Sequence, residues 1–251
     1  MRTPVAPAVA VAAIVFAAGS ASAQLFDFES LSHGEIVNGQ FEPVLSLTAV
    51  NFNRPFDLAA AFDTRMMGTS DPDLEGPPWA AGNLAISPTE VDLGIAIIIA
   101  ENNHGAGDGF LDDPDDEGNR PAGQLMFQFN RIIASFGFDV IDREGDIEDS
   151  SLDFYRDGTL VGHVDFAQFT TLASMFYDPT LVFGDNTANR ISPVTAADLV
   201  QFGYADAADG FDKVVINVGG SGAFDNILIP SPGALALGGV GLFSLARRRR
   251  G

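Results

Sequence analysis

The sequence predicts an all-β fold, a single antiparallel β-sandwich of the jelly-roll type. Hydrophobic and polar residues alternate in several short runs, the pattern of a strand with one face in a core and one in water. Turn-forming residues and long polar connections separate these runs. About 205 residues remain once the two apolar chain ends are set aside, a length that suits one domain. Many short strands joined in this way are typical of sandwiches.

The strands can be assigned in chain order. The uninterrupted apolar run at residues 95–100 predicts a central strand, buried on both faces. Residues 151–155 and 159–164 flank Arg156-Asp157-Gly158, and this Asp-Gly turn predicts a β-hairpin. Period-two alternation is clearest in the runs 125–129, 136–140, 152–154 and 214–218.

Other segments depart from the strand pattern. Four apolar residues spaced three or four apart over 166–176 indicate a short helix or an irregular crossover, and residues 195–199 indicate a helical turn. Residues 219–222, Gly-Gly-Ser-Gly, suggest a nucleophile elbow, but Ala223 breaks the Gly-x-Ser-x-Gly pattern. We interpret this segment as a tight hairpin turn. The longest connection, residues 102–123, is expected to be functional or mobile.

The first 23 residues have the outline of a secretory signal peptide. Arg2 supplies a positive start, and an alanine-rich apolar run follows over residues 5–18. Ala21-Ser22-Ala23 has the small-x-small pattern that precedes a cleavage point. We therefore expect cleavage between Ala23 and Gln24, so that the mature domain spans 24–229.

The C-terminal segment, residues 230–251, carries a second targeting signal. It begins with Pro230-Ser231-Pro232, continues through an uncharged run at 233–246, and ends in the cluster Arg247, Arg248, Arg249 and Arg250. The run is shorter than the roughly 20 residues of a full membrane span, and an arginine cluster remains on the cytoplasmic side. This segment resembles the PEP-CTERM sorting domain, in which glutamate usually stands where Ser231 does. The resemblance implies a short apolar sorting helix, transient membrane contact and an exosortase-type processing enzyme as partner. A simple membrane anchor and a buried terminal segment are the alternatives.

Charge and composition restrict the function further. The formal net charge is −21; removing the five arginines of the two end segments leaves 8 basic and 34 acidic residues, or −26. Such a surface repels nucleic acid and anionic lipid and suits divalent cations. Because the chain has no cysteine, an exported protein of this sequence has no disulfides.

The domain itself has a family resemblance. It opens with Phe26-Asp27-Phe28-Glu29, continues through Ser135–Val140 and Leu152–Gly162, and closes with Gly219–Ile227. This order is similar to that of the β-sandwich domains found in front of PEP-CTERM signals, whose layout is like that of lectins and carbohydrate-binding modules. The resemblance implies architecture and location, and no reaction.

Catalytic residues are not indicated. The three histidines lie far apart in the sequence, and none has a second histidine at metal-binding spacing. Glycoside hydrolysis needs two carboxylates held across a sugar, and no local pattern selects a pair from 34 acidic residues. We therefore predict that the protein is not an enzyme.

Calcium is the one cofactor that the sequence favours, at either of two places. Asp113, Asp115 and Glu117 alternate ahead of Gly118 as in a calcium loop, although Gln124 stands where the final bidentate glutamate should be. In jelly-roll carbohydrate-binding modules, a glutamate of the first strand and an aspartate near the last strand often share a calcium ion. Glu29 and Asp225 resemble that pair. First and last strands can also be neighbours, and an ion would then join two carboxylates that otherwise repel.

Together these features predict an exported protein of the cell surface or exopolysaccharide matrix with a structural or adhesive role. The alternative is a carbohydrate-binding module, for which Trp79 is the leading ligand-binding candidate and Tyr155, Tyr177 and Tyr204 are the others. A glycan-active enzyme comes third. Exopolysaccharide is the expected partner besides the processing enzyme, and nucleic acid is not expected.

Overall fold

The computed structural model describes residues 23–230, which form two antiparallel sheets packed face to face. The five-stranded sheet has the order β2-β5-β10-β7-β8, and the six-stranded sheet has the order β3-β4-β11-β6-β9, with β1 also paired to β11. This arrangement confirms the predicted all-β sandwich. The strands are β1 (Ala23–Phe26), β2 (Leu45–Asn51), β3 (Ala59–Asp63), β4 (Ile95–Ile99), β5 (Gly123–Ile133), β6 (Ser135–Ile141), β7 (Ser151–Arg156), β8 (Thr159–Asp165), β9 (Ala188–Thr195), β10 (Phe211–Val218) and β11 (Ala223–Pro230).

Phenylalanine fills the space between the sheets. Phe127 of β5 lies 5.5 Å from Phe136 of β6, measured between ring centroids, and Phe138 lies 6.0 Å from Phe224 of β11. All four rings are at most 1% exposed. The alternating pattern of the sequence therefore directs one side of each strand into this core, as predicted. The other side of β6, which the pattern predicts to face water, is buried as well.

A second apolar layer covers the outer face of the six-stranded sheet. The connections between β3 and β4 and between β4 and β5 contribute Leu74, Trp79, Leu93 and Leu111, which pack on outward-facing residues such as Phe62. Because both of its faces are covered, every residue of β4 is buried, which explains the uninterrupted apolar run. This strand lies between β3 and β11, as the run predicts for a central strand.

Several local predictions are confirmed. The strands β7 and β8 form the predicted hairpin, and both turn residues, Asp157 and Gly158, have the positive φ values that a two-residue turn of this kind requires. Helix α1 (Ala167–Thr170) and helix α2 (Ala196–Phe202) occur where helical turns were predicted. A reciprocal capping box between Thr195 and Asp198 begins α2.

The predicted hairpin at residues 219–222 is wrong. The two strands that it joins, β10 and β11, belong to different sheets. The segment is a connection from one layer of the sandwich to the other, although its glycine-rich composition is equally typical of a hairpin.

Within residues 23–230, no helix has both the length and the apolar character that a membrane crossing requires.

Candidate metal centres

The two ends of the domain meet at the last strand. Along one edge of β11, Phe224 pairs with Ile97 of β4, whereas Ile227 pairs with Phe26 of β1. Asp225 and Asn226 lie at the junction between these two partners. The pairing of β11 with β6 on its other edge is also irregular between Asp225 and Leu228. This change of partners opens a gap in the strand edge.

An acidic pocket occupies the gap, and we name it the chain-end pocket. It has a volume of about 330 Å³ and is formed by the residues after β1, those before β4 and the junction itself. Four of its lining side chains are carboxylates and one is a guanidinium. The lining residues are Asp27, Glu29, Arg65, Asp92, Leu93, Gly94, Asp225 and Asn226.

Glu29 is held at the mouth of the pocket. It lies three residues beyond the end of β1, so it follows the first strand and is not part of it. Its Oε1 accepts a hydrogen bond of 2.7 Å from the backbone N–H of Ile95, and its Oε2 lies 3.3 Å from Nη1 of Arg65. Gly94 has a φ of +63°, and a Cβ at this position would collide with the Glu29 carboxylate. Glycine is therefore required for the backbone to approach Glu29 this closely.

Asp225 is the unusual residue of the chain-end pocket. Its side chain is 1% exposed, and Oδ2 accepts a hydrogen bond of 2.7 Å from Nδ2 of Asn226. Its Oδ1 is buried and has no hydrogen-bond donor among the described residues. Burial, together with the charges of Asp139, Glu29 and Asp27, raises the pKa of Asp225 to about 9. A carboxylate in this position requires either a proton or a cation.

Neither neighbouring guanidinium supplies that cation. Arg65 donates hydrogen bonds of 2.7 and 3.1 Å to the two carboxylate oxygens of Asp63, outside the pocket lining. Arg190 makes the same two-pronged contact with Asp139, at 2.8 and 2.7 Å. Arg65 also lies beside Glu29, but four carboxylates line the pocket against this one guanidinium, so an excess of negative charge remains. Several carboxylate oxygens around a small space are the ligands that Ca²⁺ prefers.

A second carboxylate cluster, the acidic triad, consists of Asp71, Asp115 and Asp116. Each residue places a carboxylate oxygen within 4.8 Å of the others. Asp116 also accepts hydrogen bonds from the hydroxyl of Ser221 at 3.0 and 3.1 Å and from the backbone N–H of Gly222. The carboxylates of the chain-end pocket are not as close together, so an ion bound there would draw them inward or use water as additional ligands.

The triad is buried enough to resist ionisation. Burial and the charge of Asp115 raise the pKa of Asp71 to about 7, and burial and the charge of Glu101 raise that of Asp115 to about 6. Burial raises the pKa of Asp116 well above its usual value. Burial also raises the pKa of Asp142, nearby, to about 6. Binding a cation here would therefore release protons at neutral pH.

The three residues predicted as ligands of a calcium loop have different surroundings in the structure. Of the three predicted ligands, Asp115 belongs to the triad, while Asp113 accepts a hydrogen bond of 2.8 Å from the Ser70 hydroxyl. Glu117 is buried, and its Oε2 accepts hydrogen bonds from Asn51 at 3.0 Å and Arg54 at 2.9 Å. The carboxylate of Glu117 is thus engaged in hydrogen bonds that hold the fold together. Sequence spacing missed Asp71 because it is 44 residues from Asp115.

Trp79 is not placed to bind a ligand. It is 6% exposed, its ring lies against Gly76, and its indole N–H donates a hydrogen bond of 2.8 Å to the carbonyl of Val91. The ring forms part of the second apolar layer. The alternative that Trp79 is a packing residue is therefore the one that the structure supports.

The targeting residues lie at the boundaries of the described region. Ala23 and Gln24 begin β1, and Pro230 ends β11, where it pairs with Ala23. Ser231, Pro232 and the arginines 247–250 lie outside the described residues, as does most of the predicted signal peptide.

Comparison with known proteins adds little to this description. No protein-family model matches the chain, and no curated protein matches it. Among solved structures, the K2 cleaved adhesin domain of Lys-gingipain is similar, with a TM-score of 0.40 and 10% sequence identity. The match covers 83% of this chain and 99% of that domain. Likeness at this level says nothing of ligand or activity.

Proposed function

We propose that this chain is an exported, non-enzymatic β-sandwich with a structural or adhesive role at the cell surface or in the exopolysaccharide matrix. We further propose that calcium at the chain-end pocket joins its first and last strands. The observation that carries the calcium proposal is the buried, unpartnered Oδ1 of Asp225, in a pocket that Glu29 and Asp27 also line. Calcium would convert the repulsion between these carboxylates into a contact between the two chain ends.

This calcium bridge between the two chain ends, which we call the clamp, would stabilise the folded state. An ion that binds only the folded chain stabilises it by about 2.7 kcal/mol at a hundredfold excess over the dissociation constant. Extracellular modules commonly bind calcium with dissociation constants of about 10⁻⁴–10⁻³ M. A domain with no cysteine has no disulfide to supply comparable stability.

The proposed location rests on the two targeting segments. Ala23 pairs with Pro230, so the segments before and after the domain emerge side by side. Export would begin with cleavage before Gln24, and an exosortase-type enzyme would then process the segment that starts at Pro230. Both segments would thus engage a membrane at one corner of the domain, and the sandwich would extend away from it.

Carbohydrate binding remains the second candidate, favoured by one surface residue. Tyr155 is half-buried, and the ammonium of Lys213 lies 4.3 Å from the centroid of its ring. The ammonium covers one face of the ring, so a sugar would contact the part of the ring that stays exposed, whereas the buried Trp79 offers no such surface.

Thermal unfolding of the mature chain in calcium and in chelator tests the clamp. A stabilisation of about 2.7 kcal/mol corresponds to a rise in melting temperature of roughly 5–10 °C for a domain of this size. Glu29→Gln and Asp225→Asn should each reduce the rise, whereas Asp115→Asn, in the triad, should leave it. No rise in the wild type would refute the clamp. A rise that only Asp115→Asn removes would assign calcium to the triad.

Surface delivery needs a separate experiment. Protease treatment of intact cells should digest the wild-type protein, and replacing arginines 247–250 with serine should leave an unprocessed precursor in the membrane fraction. Cells lacking the protein should attach less firmly to exopolysaccharide-coated surfaces. A surface form that still carries all four arginines would contradict processing.

A further inference from the structure

An open apolar groove lies where the described chain ends. It has a volume of about 660 Å³ and is bounded by the link between β5 and β6, by helix α2 and by the end of β11. Its apolar walls are Ala134, Ala196, Ala197, Val200, Ala208 and Pro230. Small side chains predominate, so an incoming segment could approach the backbone closely.

Helix α2 is apolar on the side that forms the groove as well as on its core side. Leu199 is fully buried and faces the sandwich core. Ala197 is exposed and Val200, three residues later, is 40% exposed, so these two lie together on the outer surface. A helix on a protein surface normally presents polar residues to water. The exposed side of α2 at Ala197 and Val200 is therefore available for an apolar contact with another segment.

The chain continues from the wall of this groove. Pro230 is both a lining residue and the last described residue. Nη2 of Arg131 donates hydrogen bonds of 3.1 Å to the carbonyl of Pro230 and to Oε1 of Gln24. The carbonyl of the last described residue is thus held in place beside the groove.

We infer that the uncharged run at residues 233–246 of this same chain docks in the groove. The run combines glycine and alanine with leucine, valine and phenylalanine, which suits a groove with small walls. Leu235 is five residues beyond Pro230 and can reach at most about 17 Å along an extended chain. A short tether gives an effective concentration in the millimolar range, so weak apolar contacts are sufficient.

Charge favours this occupant over the N-terminal apolar run. The C-terminal segment ends in four arginines, and the short 3-10 helix Ala205–Asp209, which supplies Ala208 to the groove, carries Asp206 and Asp209. Both carboxylates lie in exposed positions, and Asp209 also lies 3.6 Å from Nη1 of Arg156. The N-terminal run, at residues 5–18, is followed by no comparable basic cluster. Opposite charges at the rim would hold the end of the docked segment.

Docking would keep the apolar run out of water before a membrane receives it. The inference does not depend on the proposed sorting or on calcium, because it uses only the groove, the exit point and the residues that follow. A second copy of the chain and the N-terminal run are the competing occupants.

The absence of native cysteine permits a clean test by disulfide trapping. The full chain would be synthesised in a membrane-free translation system with Ala197→Cys and one of Leu235→Cys, Leu237→Cys or Leu242→Cys. The matched control replaces Ala197→Cys with Met67→Cys, since Met67 is 73% exposed and follows β3, at the opposite edge of the sheet from β9. Both sites are exposed, so neither substitution should disturb folding.

At least one tail position should form an intramolecular disulfide with Ala197→Cys about tenfold faster than with Met67→Cys. Equal rates at all three positions would overturn the inference. Disulfides that are only intermolecular would indicate a second copy and overturn it as well. An arm with Val11→Cys tests the N-terminal run, and faster trapping there than at any tail position would refute the C-terminal occupant.

Discussion

Replacing Asp225 with asparagine should stabilise the calcium-free protein and abolish its response to calcium. The pKa of Asp225 is about 9 in the fold and about 3.8 in an unfolded chain. The folded state therefore holds a proton that the unfolded state has lost, so the contribution of Asp225 to stability falls as the pH rises from about 4 to about 9. At pH 7 the difference spans about three pH units, which corresponds to an upper limit of about 4 kcal/mol. Asparagine has no proton to lose and avoids this cost.

Urea denaturation in chelator at about pH 4 and about pH 7 measures the effect. Asp225→Asn should match the wild type at the acidic pH and exceed its unfolding free energy by up to about 4 kcal/mol at the neutral pH. In excess calcium at the neutral pH the difference should narrow by about 2.7 kcal/mol, because only the wild type gains a ligand. Glu42→Gln, an exposed substitution away from the pocket and the groove, is the control and should leave the unfolding free energy unchanged under each condition. A variant that is equally destabilised at both pH values would show that the reasoning about the buried carboxylate is wrong.

Three further substitutions test individual contacts of the fold. Arg190→Ala removes the two-pronged contact with Asp139, which is 1% exposed. Urea denaturation should show a loss of about 3 kcal/mol in unfolding free energy, because the buried carboxylate is left without its cation. A loss below about 1 kcal/mol would contradict the view that Asp139 depends on Arg190. Trp79→Ala should lower the unfolding free energy by about 3–5 kcal/mol in the same measurement and leave the retention of the protein on polysaccharide unchanged. Lost retention with normal stability would show instead that Trp79 binds sugar. Thr195→Ala removes the cap of α2 and should cost about 1 kcal/mol, and restored stability in Thr195→Ser would confirm that the hydroxyl is responsible.

Sequence alone predicts the strands whose two faces differ. The alternation around Phe127 predicts β5, whose outward face is partly exposed, and the alternation around Phe138 predicts β6, although the outward face of β6 is buried as well. Alternation does not identify β3 (Ala59–Asp63), because this strand contains three consecutive alanines and shows no alternation of apolar and polar residues. That strand is buried on both sides because the second apolar layer covers it, and no local pattern encodes such a layer.

The two acidic sites differ in how far they could be predicted. Glu29 and Asp225 belong to the first and last parts of the domain, and adjacency of end strands is enough to bring them near one another. The triad depends on a contact between Asp71 and Asp116, which lie in separate connections and meet only after the six-stranded sheet has formed. The proposed docking of residues 233–246 could likewise not be predicted from local sequence, because the groove is assembled from three distant segments.

Calorimetric titration of the mature chain with calcium near pH 7, in two buffers of different ionisation enthalpy, tests the central claim most directly. Because Asp225 holds a proton at this pH, calcium should bind saturably and release about one proton from the chain-end pocket. The binding should disappear in Asp225→Asn and persist in Asp115→Asn. Saturable binding that Asp225→Asn leaves unchanged, or no binding at millimolar calcium, would contradict the claim that a cation joins the two ends of this domain.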